Sequence, residues 1–479
     1  DRLKLTTVDI GHDEPLQIVC GAPNVEANIK VPVATVGTRL YSGEDSFKIK
    51  RSKIRGQVSN GMICGPDEIG LGPKTDGIMI LSEDAKVGLL GSEYFDIKTD
   101  TIFEIGLTPN RSDAMSHIGV ARDLKAALNT KNQNLKMCIP SIKDFSVDNN
   151  NLKIDVEVKS LDLCPRYSGL TISNLSVKES PEWLKSRLLS IGINSTNNVV
   201  DITNYILHEL GQPLHAFDAD KIKGSKIIVK TTKADSSFIT LDDNERKLSG
   251  EDLMICNGKD PMCIAGVFGG LESAVTEDTT SIFLESAYFN PVSIRKTAKR
   301  HNLSTDASFR YERGCDPNIT VYALKRAALL IKELCGGNIS SEIIDIYPKP
   351  IENTTIKFLY NSLNKIAGEE LDKNLVIDII KHLEIKIEEE SNDFLILSIP
   401  TYRVDVTREI DVIEEVLRIY GFNTISLPEK LTSSISISNT IDSYKLKKIV
   451  SNLLSNNAFN EIMNNSLTKS AYNDLIEDL

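Results

Sequence analysis

Asn198-Val199-Val200-Asp201-Ile202-Thr203-Asn204-Tyr205-Ile206-Leu207-His208-Glu209-Leu210-Gly211-Gln212-Pro213-Leu214-His215-Ala216-Phe217-Asp218 is the stretch on which the reading of the fold turns. Asp201–Leu210 reads as a helix. Gly211 and Pro213 stop it, because glycine accepts the left-handed cap and proline cannot continue the helix. His215 follows on a segment that proline keeps extended. Upstream, Ser180-Pro181-Glu182 starts another helix, with Trp183, Leu184, Leu188 and Ile191 at helical spacing and Gly192 to close it. Downstream, Ile227–Lys230, Phe238–Leu241 and Leu253–Cys256 read as strands, with Asp242-Asp243-Asn244 as a hairpin turn. A long amphipathic helix, Val321–Cys335, ends at Gly336-Gly337.

Further outward the pattern changes. The first ~100 residues are β-rich, with Leu3-Leu5-Val8-Ile10, Ile29-Val31-Val33-Ala34 and Ile78-Ile80 as short apolar runs, which suggests a small barrel. His117–Leu128 has helical periodicity. After Pro348 and Pro350 come helix Leu371–Leu383, strand Phe394–Ile399 and helix Arg408–Tyr420 capped by Gly421. Residues 441–479 begin something helical. The expected fold class is multidomain α+β.

The chain has 479 residues, and at ~150 residues per domain the prior is about three domains. Hydrophobic residues at 41% and charged residues at 25% exclude a disordered, collagen-like or simple coiled-coil chain. No stretch of 18 apolar residues is present, so no membrane-spanning helix is expected. Against 67 Asp and Glu stand 55 Lys and Arg, a net charge of −12 that argues against a chain coated for nucleic acid but leaves room for a local basic patch. Eight cysteines without a C-x-x-C pair, and six histidines, favour neither a disulfide scaffold nor a zinc site. No signal peptide is visible, so a reduced, cytoplasmic location is expected. Asp1 at the start and a helix-like run to Leu479 at the end read as cuts.

Four features could carry chemistry. Lys48, Lys50, Arg51, Lys53 and Arg55 put five cations in eight residues, a stripe able to follow a phosphate backbone. On spacing alone, a solvated edge strand is the plainer reading. Ala265-Gly266-Val267-Phe268-Gly269-Gly270 is not a phosphate loop of either common kind, and suits a turn or close approach of backbone to a ligand. His215 suits a proton acceptor or a water-orienting group, against a satisfied structural histidine. Asp411, Glu414 and Glu415 fall at i, i+3 and i+4, with Asp405 on the segment entering the helix. Four oxygen donors without His or Cys favour Mg²⁺, against ordinary acids near a helix N-terminus.

In order along the chain these runs resemble the beta subunit of bacterial phenylalanyl-tRNA synthetase. The resemblance is carried by Cys20-Gly21-Ala22-Pro23-Asn24, Lys53-Ile54-Arg55-Gly56, Ser59–Cys64, Thr108–Asp113, 198–204, 211–218, 265–270, 284–287, 307–314 and 400–421. It implies an oligonucleotide-binding (OB-type) β-barrel at 1–103, a connecting segment at 104–160 and a mixed α/β editing module at 161–347. A small α/β metal-carrying module at 348–425 and the start of a catalytic-like α+β domain at 426–479 would follow. It further implies that an alpha subunit, in an α2β2 heterotetramer, binds ATP and phenylalanine, while this chain removes tyrosine wrongly attached to tRNA(Phe). Glu285 would accept the tyrosine hydroxyl, with Gly266, Gly269, Thr305 and Ala307 shaping the pocket. His215, Thr203 and Asn204 would hold the tRNA 3′ end or the attacking water. Lys48, Lys50, Arg51, Lys53 and Arg55 would contact tRNA, and Asp405, Asp411, Glu414 and Glu415 would hold one Mg²⁺. The competing expectation is a non-catalytic tRNA-binding and assembly scaffold with an inactive pocket. The physical case for editing is that an apolar synthetic pocket rejects an added hydroxyl by only ~10²-fold.

Overall fold

A computed structural model of the chain describes residues 3–42, 45–72, 74–97, 100–131, 133–426 and 442–475. They form two units, Asp1–Gly106 with Ser186–Asn194, and Leu107–Lys185 with Ser195–Leu479. Among the described residues no helix is long and apolar enough to cross a membrane, and the eight cysteines are free.

The first unit holds eight short strands, β1 (Lys4–Val8), β2 (Leu16–Cys20), β3 (Val33–Thr35), β4 (Arg39–Ser42), β5 (Asp45–Lys48), β6 (Ser52–Ile54), β7 (Gln57–Ser59) and β8 (Gly61–Ile63), and a one-turn helix α1 (Gly91–Tyr94). They pair as four separate two-stranded ladders, β1-β2, β3-β8, β4-β5 and β6-β7, rather than as one closed ladder. Ile78–Ile80, expected as a strand, is loop. Its pairing is mixed: Asn24 Nδ2 donates to the Ile78 carbonyl at 2.8 Å and the Ile78 N–H donates to Asn24 Oδ1 at 2.9 Å, while the Met79 and Leu81 N–H groups donate to the Cys64 and Lys30 carbonyls at 3.0 and 2.8 Å. At Ile78 alone an amide side chain satisfies the backbone groups, which interrupts the regular ladder.

In the second unit come α2 (His117–Asn129), β9 (Asp155–Val158), β10 (Arg166–Leu175), α3 (Glu182–Ser190, continuing into the first), α4 (Asn198–Leu210), β11 (Leu214–Asp218) and β12 (Lys226–Thr231). Then follow β13 (Ser237–Ile239), β14 (Glu245–Lys247), β15 (Leu253–Cys256), β16 (Pro261–Ile264), β17 (Phe268–Gly269), β18 (Ile282–Tyr288), α5 (Pro291–His301), α6 (Asp306–Tyr311), α7 (Thr320–Cys335), β19 (Gly336–Ile339) and β20 (Ile344–Ile346). Two five-stranded sheets result. One runs β11-β18-β10-β19 with β20 also on β10, and the other runs β17-β16-β15-β12-β9. Apolar side chains of both meet in one core that includes Tyr167, Phe217, Phe283, Ile227, Val229, Ile255 and Ile264. The helix α7 covers the opposite face of the first sheet, where the Ser168 hydroxyl of β10 reaches Thr320. Side chains alternate along a strand, so Tyr167, Gly169 and Glu285 turn toward the inter-sheet core.

A third layer has β21 (Thr354–Leu359), α8 (Tyr360–Ala367), α9 (Lys373–His382), β22 (Lys386–Glu390), β23 (Phe394–Ile399) and α10 (Glu409–Tyr420), and α11 (Ser443–Asn456) stands further on. The sheet order is β21-β23-β22. Ala126 of α2 joins the core of this layer with Phe358, Ile380, Leu397 and Val416. Of the segment 426–479, residues 427–441 and 476–479 lie outside the described residues.

Candidate functional site

The sheet edge β11-β18-β10 sets the site. Register places His215 opposite Glu285 on one side and Gly169 opposite it on the other. Opposed residues have Cβ atoms about 4.5–5.5 Å apart, so the imidazole and the carboxyl are neighbours on one face. Gly169 is needed here: a Cβ on it would lie 2.2 Å from Cζ of Phe283. Tyr167 sits two residues before Gly169, and its hydroxyl donates to Glu285 Oε2 at 2.8 Å.

Glu285 is buried, and that burial pushes its carboxyl up to about 8, the Tyr167 hydroxyl pulling the other way. It is therefore mostly protonated at neutral pH, able to donate as well as accept a hydrogen bond. His215 is half-buried, and desolvation pulls its imidazole down to about 4. The ring stacks edge-on against Phe217, centroids 4.4 Å apart. It has no hydrogen-bond partner among the described residues. An imidazole of such low basicity stays neutral at pH 7 and takes a proton poorly, so it serves better to orient water or ligand than as a general base.

The 265–270 loop completes one wall. A Cβ at Gly269 would lie 2.7 Å from Leu241 Cδ1 and 3.1 Å from His215 Cε1, so this glycine lies directly against the imidazole. Thr305 caps α6, accepting from the Ser308 N–H at 3.0 Å, and its hydroxyl donates to the Val267 carbonyl at 3.0 Å. Ala307 follows in the first turn of α6, half-buried. Gly266 differs. It has φ +65°, and a Cβ there would strike Phe289, Tyr311 and Ile294 at 2.8, 2.9 and 3.0 Å. The space beside it is filled by core rings. Thr203 spends its hydroxyl on the Val200 carbonyl at 2.7 Å within α4. Asn204 is half-buried on the same helix, and no hydrogen bond joins either to Glu285 or His215 among the described residues.

The four carboxylates do not converge. Asp405 accepts from Asn110 Nδ2 at 2.9 Å. Asp411 caps α10, taking the Arg408 N–H at 2.8 Å and its guanidinium at 2.9 Å. Glu414 is exposed. Glu415 turns inward between Arg403 at 2.8 Å and Arg418 at 2.7 Å. Arg418 continues to Asp123, Asp123 to Arg111 and Arg111 to Asp113, which lies 3.7 Å from Arg403. Six alternating charges close a ring with Glu415 as a member. Two guanidinium groups already neutralise that carboxylate and would repel a cation brought to it. Among the described residues no three His, Cys, Asp or Glu side chains gather as a metal-holding group. The expected Mg²⁺ set does not fit a divalent ion as it is arranged here. Sharing one helix face was not enough: arginines claim Asp411 and Glu415, Asn110 bonds Asp405, and Glu414 faces solvent.

Lys48, Lys50, Arg51, Lys53 and Arg55 are all exposed. They run from the end of β5, across a link where Ile49 is buried, to the β6–β7 turn, where Arg55 has φ +47°. They are spread over two hairpins.

Three family models match the chain: a putative tRNA binding domain over 1–89, a B3/4 domain over 163–336 and a tRNA synthetase B5 domain over 356–422. A phenylalanine–tRNA ligase beta subunit of Bacteroides fragilis is 53% identical over 452 residues, covering 94% of this chain and 55% of its own length. That of Porphyromonas gingivalis is 50% identical over 453 residues, with the same shares. The chain belongs to the phenylalanine–tRNA ligase beta-subunit family. As a beta-subunit chain it spans about half the length of the curated relatives it matches. A solved N-terminal fragment of the phenylalanyl-tRNA synthetase beta subunit of Pyrococcus horikoshii superposes loosely (TM-score 0.34, 17% identity, 65% of this chain and 84% of that chain). The B3/4 match contains Glu285, His215, Gly269 and Thr305 together.

Sequence patterning does not single out Tyr167, Gly169, Phe217 or Leu241 as site residues. Nor does it mark β10, the centre of the first sheet, as a strand. Arg166-Tyr167-Ser168-Gly169 lacks apolar alternation because both faces of β10 are covered, and a buried central strand need not alternate.

Proposed function

We propose that this chain carries the hydrolytic editing site of a phenylalanine–tRNA ligase, acting on tyrosine wrongly esterified to tRNA(Phe). The observation that supports it best is a buried carboxyl already bonded to a phenol: Glu285 holds the Tyr167 hydroxyl at 2.8 Å, opposite a partnerless imidazole. Water attacks the ester carbonyl, and tyrosine and the tRNA 3′-terminal hydroxyl leave. Glu285 binds the substrate phenol. His215 orients the water or the 3′ end. Gly269, Thr305 and Ala307 shape the pocket, and Thr203 and Asn204 support the tRNA end from α4. No step is assigned to Mg²⁺.

The wider reading follows. An alpha subunit attaches phenylalanine with ATP in an α2β2 assembly in the cytoplasm. The OB-type region 1–103 contacts tRNA through Lys48, Lys50, Arg51, Lys53 and Arg55, the segment 104–160 links it to the editing module 161–347, and 348–425 precedes a catalytic-like region from 426. The test uses the complete two-subunit enzyme. Glu285→Ala and Ala307→Trp are each expected to slow hydrolysis of Tyr-tRNA(Phe) at least about tenfold while phenylalanylation persists. If both variants hydrolyse it at the wild-type rate, the pocket is assigned wrongly.

A further inference from the structure

Glu285 does not stand alone. Its carboxyl has one hydrogen-bond partner among the described residues, the Tyr167 hydroxyl, which reaches Oε2 and leaves Oε1 without one. Tyr167 is fully buried, and its ring lies in the inter-sheet core with Phe217 and Phe283. Gly169, between Tyr167 and the next side chain on that face, leaves room for Phe283 to back the site. The arrangement is rigid: a phenol locked by packing, on the central strand, holding a carboxyl on the strand beside it.

We propose that Tyr167 is a positioning residue for ligand selection: its hydroxyl pins Glu285 through Oε2 and leaves Oε1 as the single group that reads a ligand's para-hydroxyl. The proposal rests on the editing reading above and deepens it. It also revises the energetics of selectivity. A lone buried carboxyl would be wholly unpaired when phenylalanine bound, but here one oxygen stays bonded whatever the ligand, so the penalty falls on Oε1 alone. The pin instead limits the carboxyl to one orientation, so that a ligand hydroxyl meets a fixed partner rather than a rotor.

The titratable groups around Glu285 are Tyr167 on β10, Cys164 just before it, His215 on β11, Cys263 on β16 and Tyr311 at the end of α6. Burial pushes the two thiols and the two phenols well up, so they stay neutral, and no lysine or arginine contributes to the carboxyl's shift. The Tyr167 hydroxyl stabilises the ionised carboxylate, so its removal raises the Glu285 pKa further above about 8, and a stronger donor lowers it.

The experiment measures deacylation of Tyr-tRNA(Phe) and Phe-tRNA(Phe) against pH by the complete two-subunit enzyme. Tyr167→Phe keeps the ring and removes the hydroxyl. It is expected to lower the Tyr over Phe preference about tenfold, chiefly through KM. The pH at which that preference changes is expected to move up. Replacement of Tyr167 by 3,5-difluorotyrosine, which keeps the hydroxyl and makes it a stronger donor, should move that pH down. A packing role alone would not shift the profile in opposite directions. Glu285→Ala is run beside them. If it abolishes editing while both Tyr167 replacements keep the wild-type preference and profile, or shift it the same way, this inference is overturned and the editing reading stands. If Glu285→Ala leaves hydrolysis intact, the editing reading fails and this inference falls with it.

Discussion

At neutral pH the protonation of two neighbours, Glu285 and His215, is set by desolvation acting in opposite directions. Burial holds the carboxyl up to about 8 against an ordinary 4.5, and holds the imidazole down to about 4 against 6.5. Between pH 4.5 and 8 folded Glu285 keeps a proton that the unfolded chain releases, so stability falls as pH rises across that window. Between 6.5 and 4 the unfolded histidine takes a proton that the folded one refuses, so stability falls as pH drops. His208, pulled down to about 4 by burial and Arg310, adds to the acid side. From about pH 6.5 to 8 the Glu285 loss amounts to about 2 kcal/mol over that span. Thermal melts of the wild type are expected to fall across about pH 6.5–8, and Glu285→Gln to remove that slope. An equal slope in the variant would place the charged or neutral choice elsewhere. His215 is legible in the sequence as a residue type worth notice, and Glu285 only through the family resemblance. Their perturbed protonation was not, since it depends on which residues pack around them.

Among elements, those whose periodicity is strong came through. The expected helices at Asp201–Leu210, Val321–Cys335 and Arg408–Tyr420 stand as α4, α7 and α10, within three residues at each end. Gly211 closes α4 with φ +78°, as the stop signal implied. The strands Phe394–Ile399 and Leu253–Cys256 stand as β23 and β15. What the periodicity of α10 does not reveal is its use. Its acids at i, i+3 and i+4 have the spacing of one donor set, but Glu415 faces the core with Val412 and Val416, and Glu414 faces solvent. A helix face is about 100° wide, and i+3 and i+4 fall on its two sides. Arg403 and Arg418, from before and within α10, then capture Glu415. Removing one partner of a buried ion pair leaves the other charge uncompensated. Glu415→Ala is expected to destabilise the chain by about 3–5 kcal/mol in denaturant melts. A loss under about 1 kcal/mol would mean that the charge ring is loose in solution.

For the whole molecule, the charge of −12 coexists with an exposed basic run at residues 48–55. If this run tracks a phosphate backbone, Lys48→Glu with Lys50→Glu should weaken tRNA(Phe) binding by the complete enzyme. It should also flatten log K against log salt by about 0.7–0.9 for each phosphate no longer neutralised. An unchanged slope returns the run to solvated surface. Residues 53–55 carry part of the family resemblance, yet their spread over two hairpins is invisible in a linear run of cations. Order along the chain was enough for the family, for the helices and strands with strong period, and to nominate residues for the candidate site, because these are local or linear properties. Which of those residues meet is a matter of packing. The pairing of Glu285 with His215 and Gly169 joins strands far apart in the chain. The Tyr167 hydroxyl on the carboxyl and the arginines on Glu415 are likewise choices made in three dimensions. They arise because buried polar groups must find partners among whatever the folded core brings within reach.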